Sequence, residues 1–354
     1  MHSILDLHAY KSPAKSWTRD FFAKMSLSAL PRPMTHLPDP DVLISEVGPR
    51  DGLQSIPSIM PTLDKCRWID ALAAAGLREI EVASFVPARL LPQMADAAEV
   101  VQHARRHASL TVMALVPNRR GAEAALQAGA HKLTLPVSAS PTHSLANVRK
   151  TPGEMVEEVR AVLELRDAIA PGVRVEAGVS TAFGCTLQGP VPEDEVIELA
   201  VQLAEAGVDE VGLSDTTGMG HPAQTRRLFT RLRAELGERA GAAHMHNTRG
   251  LGLANCLAAY EAGVRTFDSS LGGLGGCPYA PGASGNVVTE DLVFMFEAMG
   301  VRTGVDLPRL FAARQALRAG LPGEPLYGMT PEAGLPKGWT PTTREGRDGQ
   351  AQGL

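Results

Sequence analysis

Ala75-Gly76-Leu77-Arg78-Glu79-Ile80-Glu81-Val82 decides the fold, because the unit returns three more times. The other copies read Ala128-Gly129-Ala130-His131-Lys132-Leu133-Thr134-Leu135, Ala206-Gly207-Val208-Asp209-Glu210-Val211-Gly212-Leu213 and Ala262-Gly263-Val264-Arg265-Thr266-Phe267-Asp268. In each, a helical stretch runs out at alanine, glycine stops it, and a short β-rich apolar run follows. Glycine belongs at that stop because it takes the left-handed C′ conformation without a Cβ penalty.

Working outward from these copies, β-rich runs fall near residues 42–47, 79–83, 110–115, 132–137, 174–179, 210–214, 242–246 and 266–269. Apolar residues at helical spacing separate them, for instance over 61–75, 119–128, 155–168, 192–206, 222–236 and 252–262. Strands that alternate with helices pair in parallel, since a parallel strand needs a crossover to return. Eight such units close into a (β/α)₈ TIM barrel, whereas a doubly wound sheet stops nearer six strands and opens on a Gly-x-Gly-x-x-Gly turn. Here the first turn reads Gly48-Pro49-Arg50-Asp51-Gly52-Leu53-Gln54, which is no dinucleotide fingerprint. The predicted organisation is an N-terminal extension over 1–40, a barrel with C-terminal helices over 41–320, and a tail over 321–354 that is mobile beyond Pro331.

Composition narrows the class of function. The 354 residues are 44% hydrophobic and 21% charged, as expected for a globular chain with a large core. A formal net charge of −5 argues against nucleic acid as a partner. Cys66, Cys185, Cys256 and Cys277 are too scattered for a disulfide framework, which favours a reducing, cytoplasmic setting. The first forty residues carry Lys11, Lys15, Arg19, Lys24 and Arg32 but no apolar run of membrane length. They read as an extension without a function of its own, and the basic residues are also compatible with an organellar leader.

A barrel places its chemistry at the carboxyl ends of its strands. The reactive residues gather there: Arg50 and Asp51 after the first strand, Glu81 and Ser84 on the second, Asp215 after the sixth, His244 and His246 on the seventh. His244 and His246 are two apart, so on a strand both imidazoles share one face. Asp51 adds a carboxylate oxygen and Asn286, beyond the eighth strand, an amide oxygen. This mixed nitrogen and oxygen set suits Mg²⁺ or Mn²⁺, with Zn²⁺ or Co²⁺ as substitutes. The Gly-rich stretch 272–285 reads as a flexible lid, and Cys277 in it is placed to exchange a proton over the cation.

Several of these stretches together resemble hydroxymethylglutaryl-CoA lyases. They are Val47-Gly48-Pro49-Arg50-Asp51-Gly52-Leu53-Gln54, Ala83-Ser84-Phe85-Val86, Pro92-Gln93-Met94, Ser214-Asp215-Thr216 and Gly273-Leu274-Gly275-Gly276-Cys277-Pro278-Tyr279-Ala280 through Gly285-Asn286. The resemblance runs from about Asp41 to about Leu317. It implies a retro-Claisen cleavage of a 3-hydroxy-3-methylglutaryl-type thioester into acetyl-CoA and a keto acid such as acetoacetate. A divalent cation on Asp51, His244, His246 and Asn286 would bind the acyl-CoA substrate and acidify its hydroxyl. Asp215, Glu81 and His244 are the candidate bases; Arg50 would neutralise the enolate oxygen, and Cys277 would protonate the enolate carbon. Gln54 and Ser84 would meet substrate, with Gln54 and Glu290 also supporting the centre. Barrels of this kind often pair as homodimers.

Two departures from the family pattern bear on the substrate. Where these lyases carry His-x-His-Asp-Thr-Tyr-Gly, this chain has His244-Met245-His246-Asn247-Thr248-Arg249-Gly250, and Ser55-Ile56-Pro57 stands where a basic residue is usual. Arg249 would then meet a carboxylate of the acyl group or a CoA phosphate. Citramalyl-CoA or a longer branched glutaryl-CoA is an alternative substrate on this reading, and a Claisen-condensing synthase is the rival reaction.

Overall fold

The computed structural model describes residues 39–277 and 280–342, and side chains outside 276–284. Eight strands form a closed, parallel barrel in sequence order. They are β1 (Leu43–Glu46), β2 (Glu79–Ser84), β3 (Thr111–Leu115), β4 (Lys132–Ser138), β5 (Arg174–Ser180), β6 (Glu210–Ser214), β7 (Ala240–His244) and β8 (Thr266–Ser269). Closure comes from β8 against β1, with Leu43 opposite Thr266 and Glu46 opposite Ser269. The helices are α1 (Thr62–Ala74), α2 (Ala97–Ala104), α3 (Arg119–Ala128), α4 (Pro141–Val148), α5 (Pro152–Ile169), α6 (Glu193–Ala206), α7 (Pro222–Leu236) and α8 (Gly252–Glu261), with α9 (Thr289–Ala298), α10 (Leu307–Gly320) and α11 (Met329–Ala333) beyond the eighth strand. None of the described helices is long and apolar enough to cross a membrane.

The repeat that announced the barrel works as its chemistry requires. Gly76 and Gly129 follow their helices with φ of 98° and 92°. At Gly76 a Cβ would lie 2.5 Å from the Gly304 carbonyl oxygen, so a larger residue is excluded by space as well as by conformation. Helix α1 turns Trp68, Ile69 and Leu72 fully inward and packs against α10. Burying each such side chain contributes about 1.5–3 kcal/mol, so the C-terminal helices belong to the same core as the barrel.

Two segments differ from their expected course. The seventh strand, expected over 242–246, spans Ala240–His244, and His246 forms a single antiparallel bridge with Asn286. After His244 the chain turns to the segment returning from the Gly-rich stretch: Asn247 N–H donates to Gly285 O at 2.7 Å, and Val287 N–H to Met245 O at 3.2 Å. The tail expected to be mobile beyond Pro331 is fixed as far as Thr342, whose N–H donates to Glu297 Oε2 at 2.8 Å, while Leu335 and Trp339 pack against the core. Its Gly and Pro content mimics that of a linker, but two apolar residues suffice to anchor it.

The amino end of the barrel is plugged by charge. Lys132 is 2% exposed, and its Nζ lies 2.6 Å from Glu176, 3.0 Å from Glu210 and 3.5 Å from Glu79. Burial pushes Glu176 up to about 7 even beside the ammonium. Lys132→Met is therefore expected to destabilise the fold by about 3–5 kcal/mol, since it strands buried carboxylates. Urea unfolding at two pH values checks this: the loss should shrink from pH 8 to pH 5, as the stranded glutamates take up protons.

Candidate metal centre and active site

Asp51 is held by a tight π-type turn over Gly48–Gly52, in which the N–H groups of Arg50 and Asp51 both donate to Val47 O at 3.1 and 2.7 Å. The turn rests on Glu46, a buried residue that accepts from Gly48 N–H at 2.9 Å, Leu271 N–H at 2.9 Å and Thr289 Oγ1 at 2.6 Å. Burial raises Glu46 to about 8, so it is largely protonated in the folded chain at neutral pH. Its folded value lies above its ordinary 4.5, so the contribution of Glu46 to stability is most favourable below pH 4.5 and is lost as pH rises toward 8. Glu46→Gln should therefore show a higher Tm than wild type at pH 8 and no such gain at pH 5, measured by thermal melts.

Asp51, His244 and His246 converge at the carboxyl end of the barrel, their ligating atoms all within 4.8 Å of one another. His244 Nε2 and His246 Nε2 stand 3.2 Å apart, and Asp51 Oδ2 is 3.9 Å from His244 Nε2. Asn286 Nδ2 donates to Asp51 Oδ2 at 2.6 Å. Burial disfavours the Asp51 carboxylate, but Arg50, His244, His246 and Asn286 outweigh it and hold the group far below the usual range. For His246, burial and the neighbouring His244 lower the pKa to about 4, which leaves a neutral imidazole. Burial likewise opposes protonation of His244, yet Asp268 and Asp51 raise it.

This donor set fits a cation. Among the described residues, Asn286 Oδ1 and His246 Nδ1 are buried without a hydrogen-bond partner, and the two facing Nε2 atoms share a space where at most one can donate to the other. An ion between Asp51, His244, His246 and Asn286 would use Asn286 Oδ1, an Asp51 oxygen and one ring nitrogen of each histidine. His244 Nδ1 bonds Asp268 Oδ2 at 2.9 Å, the carboxylate–histidine arrangement that fixes the tautomer presenting Nε2 to a metal. Asp268 was missed as a functional residue, although it closes the fourth copy of the repeat. Its signal was register, because it stands directly opposite His244 across β7 and β8.

Arg50 lies beside this cluster, with Nη1 on Asp51 Oδ1 and Nε on Glu81 Oε2, both at 2.5 Å. Glu81 also accepts from Thr134 Oγ1. Burial raises Glu81 while Arg50 opposes the rise, so the residue serves as the guanidinium's partner more than as a free base. Asp215 is buried, and burial lifts it to about 6 against hydrogen bonds from Met219 and Gly220 N–H at 2.9 and 3.1 Å.

A cavity of about 290 Å³ opens over the cluster. Arg50, Asp51, Gln54, Glu81, His244, His246 and Asn286 line it, together with Asn147, Ser180 and Thr216 from the opposite wall. Four described residues named from the sequence stand outside this lining: Asp215, whose carboxylate is held by its own loop, Ser84, Arg249 and Glu290. Ser84 is fully buried, and its Oγ accepts from Val86 N–H at 3.4 Å. Arg249, expected to face a substrate anion, donates to the carbonyls of Thr217 and Gly218 at 3.0 and 2.7 Å, which ties down the loop after Asp215. Glu290 pairs with Arg314 and accepts from Gly272 N–H at 2.9 Å, so it fixes the start of the Gly-rich stretch.

That stretch forms a hairpin, β9 (Gly276–Cys277) with β10 (Ala280–Ser284), joined at its base by Gly285 N–H to Gly275 O at 2.8 Å. A Cβ at Gly275 would lie 2.8 Å from Gly52 Cα, so glycine lets the hairpin base rest on the turn that carries Asp51. The Cys277 side chain lies outside the described residues.

Known proteins match this chain over most of its length. The HMGL-like family model covers residues 41–317. Hydroxymethylglutaryl-CoA lyase YngG of Bacillus subtilis is 42% identical over 285 residues, 80% of this chain and 94% of the relative. (R)-citramalyl-CoA lyase of Chloroflexus aurantiacus is 39% identical over 305 residues, 83% of this chain and 95% of the relative. An HMG-CoA lyase from Acenitobacter baumannii, solved in complex with coenzyme A and 3-methylmalate, aligns with a TM-score of 0.78 at 40% identity, covering 85% of this chain and 97% of that one. With its closed barrel and this extent of similarity, the chain belongs to the HMGL-like family of carbon–carbon lyases.

Proposed function

We propose that the chain cleaves 3-hydroxy-3-methylglutaryl-CoA, or a close 3-hydroxy acyl-CoA, into acetyl-CoA and a keto acid such as acetoacetate. The observation that carries this reading is the convergence of Asp51, His244 and His246 beside Arg50 in one cavity. Asp51, His244, His246 and Asn286 would hold Mg²⁺ or Mn²⁺; when bound, the ion supplies Lewis acidity that makes the tertiary hydroxyl easier to deprotonate.

The chain's own groups do the rest. Of the three candidate bases, Glu81 and His244 line the cavity, Glu81 being committed to Arg50 and Thr134, while Asp215, raised to about 6, stands outside the lining with its carboxylate on Met219 and Gly220 N–H. Loss of the hydroxyl proton forms the ketone as the carbon–carbon bond breaks, and its electron pair leaves on the thioester as an enolate. Arg50 meets the enolate oxygen, and Cys277 returns a proton to the enolate carbon. Gln54 supports Asp51 from the cavity wall, and Asp268 positions His244.

Citramalyl-CoA is the second reading, favoured by the Chloroflexus relative. A product assay over a panel of 3-hydroxy acyl-CoAs, with and without EDTA, tests both: acetyl-CoA formation should stop with EDTA and return with Mg²⁺ or Mn²⁺. Thiol release from acetyl-CoA with 2-oxo acids would instead establish a condensing synthase. Cys277→Ala should lower kcat by about 10²–10⁴-fold at unchanged metal affinity, the range for a lost proton donor, and a kcat within threefold would remove Cys277 from the mechanism. A cytoplasmic homodimer completes the proposal.

A further inference from the structure

Away from the cavity, three metal-binding side chains meet on the outer wall of the barrel. Asp70 lies on α1, His103 in the last turn of α2, and His107 in the turn that follows. Helix α2 ends at Ala104, and the turn after it, with His107 N–H donating to Ala104 O at 3.1 Å, brings the two imidazoles to a centroid distance of 6.4 Å. Their Nε2 atoms both lie 2.7 Å from one and the same oxygen, Asp70 Oδ1. All three ligating atoms fall within 4.8 Å of one another, and nothing in the lyase reading uses them.

We propose that Asp70, His103 and His107 form a second metal site, selective for a first-row cation of the Zn²⁺ class, that staples α1 to α2. Two imidazole nitrogens and one carboxylate oxygen suit Zn²⁺, Co²⁺ or Ni²⁺, whereas Mg²⁺ prefers an all-oxygen shell. The side chains of Asp70, His103 and His107 are 45%, 16% and 29% exposed, so an ion has a path in and a position open to water. Arg106 opposes it: its Nη2 lies 2.5 and 3.0 Å from the two ring nitrogens of His103. An entering ion displaces this guanidinium, and because Arg106 is exposed the displacement leaves no charge buried. Asp70 is already biased toward its carboxylate: burial opposes that form, but His103 and His107 outweigh it.

The test is a Co²⁺ titration of the metal-free full-length protein, followed by visible absorption and by metal content after dialysis. Wild type should bind two equivalents, and His103→Ala with His107→Ala one. Asp51→Ala should keep the outer equivalent. The His103/His107 variant should retain its Mg²⁺-supported kcat, which also shows that it folds; if it does not fold, Asp70→Asn serves in its place. Arg106→Ala should tighten the outer equivalent. A single wild-type equivalent that survives the His103/His107 change overturns the outer site, as do two equivalents in that variant. A single equivalent that the variant removes supports the outer site and refutes the inner centre instead.

Discussion

Asp51→Ala is expected to lower kcat by about 10³-fold or more, because Lewis-acid stabilisation is worth several kcal/mol and each 1.36 kcal/mol is tenfold in rate. Asp51 is the one carboxylate in the proposed ligand set, so its loss leaves two neutral donors and the His244–Asp268 pair around the ion. Stability should change little, since Arg50 keeps Glu81 as a buried counter-charge. Metal affinity measured by chelator competition should fall alongside kcat, and raising the Mn²⁺ concentration should restore part of the rate. If the variant binds Mn²⁺ as tightly as wild type and turns over within tenfold of it, Asp51 is only the counter-ion of Arg50 and the centre has been assigned to the wrong residues.

The barrel was legible in the sequence because its signal is repeated and local. Each Ala-Gly stop obeys the same conformational rule, so four copies fix the period and the remaining strands fill it. The cluster of Asp51, His244 and His246 was legible for a related reason, since in such a barrel all strands deliver their carboxyl ends to one place. What the sequence could not convey was partnership. Arg249 has the charge of an anion-binding residue, yet its guanidinium is taken up by the carbonyls of Thr217 and Gly218. Glu46 looks like an ordinary strand-end glutamate, but two backbone amides and Thr289 close around it in full burial. Such roles depend on loops brought together from distant parts of the chain, and no spacing rule reports them.

Arg50→Met should show the second large effect, on stability and catalysis at once. The guanidinium directs Nε and Nη2 to Glu81 and Nη1 to Asp51, which leaves one N–H on each terminal nitrogen for a substrate oxygen. Removing it strands Glu81, which is 2% exposed and, among the described residues, keeps only Thr134 as a partner. Breaking a buried pair in this way costs about 3–5 kcal/mol, whereas replacing both partners with apolar groups is often neutral. Arg50→Met with Glu81→Leu should therefore recover most of the lost stability in urea unfolding. It should recover no activity, because the donor facing the enolate oxygen is still missing, and such donors are worth about 10²–10³-fold in kcat. Arg50→Lys separates the two functions differently: it keeps the charge, and hence most of the stability, but a single ammonium cannot engage both carboxylates and the substrate in the fork geometry of a guanidinium. If the double variant regained turnover along with stability, Arg50 would be a structural ion-pair partner and the enolate would need another donor.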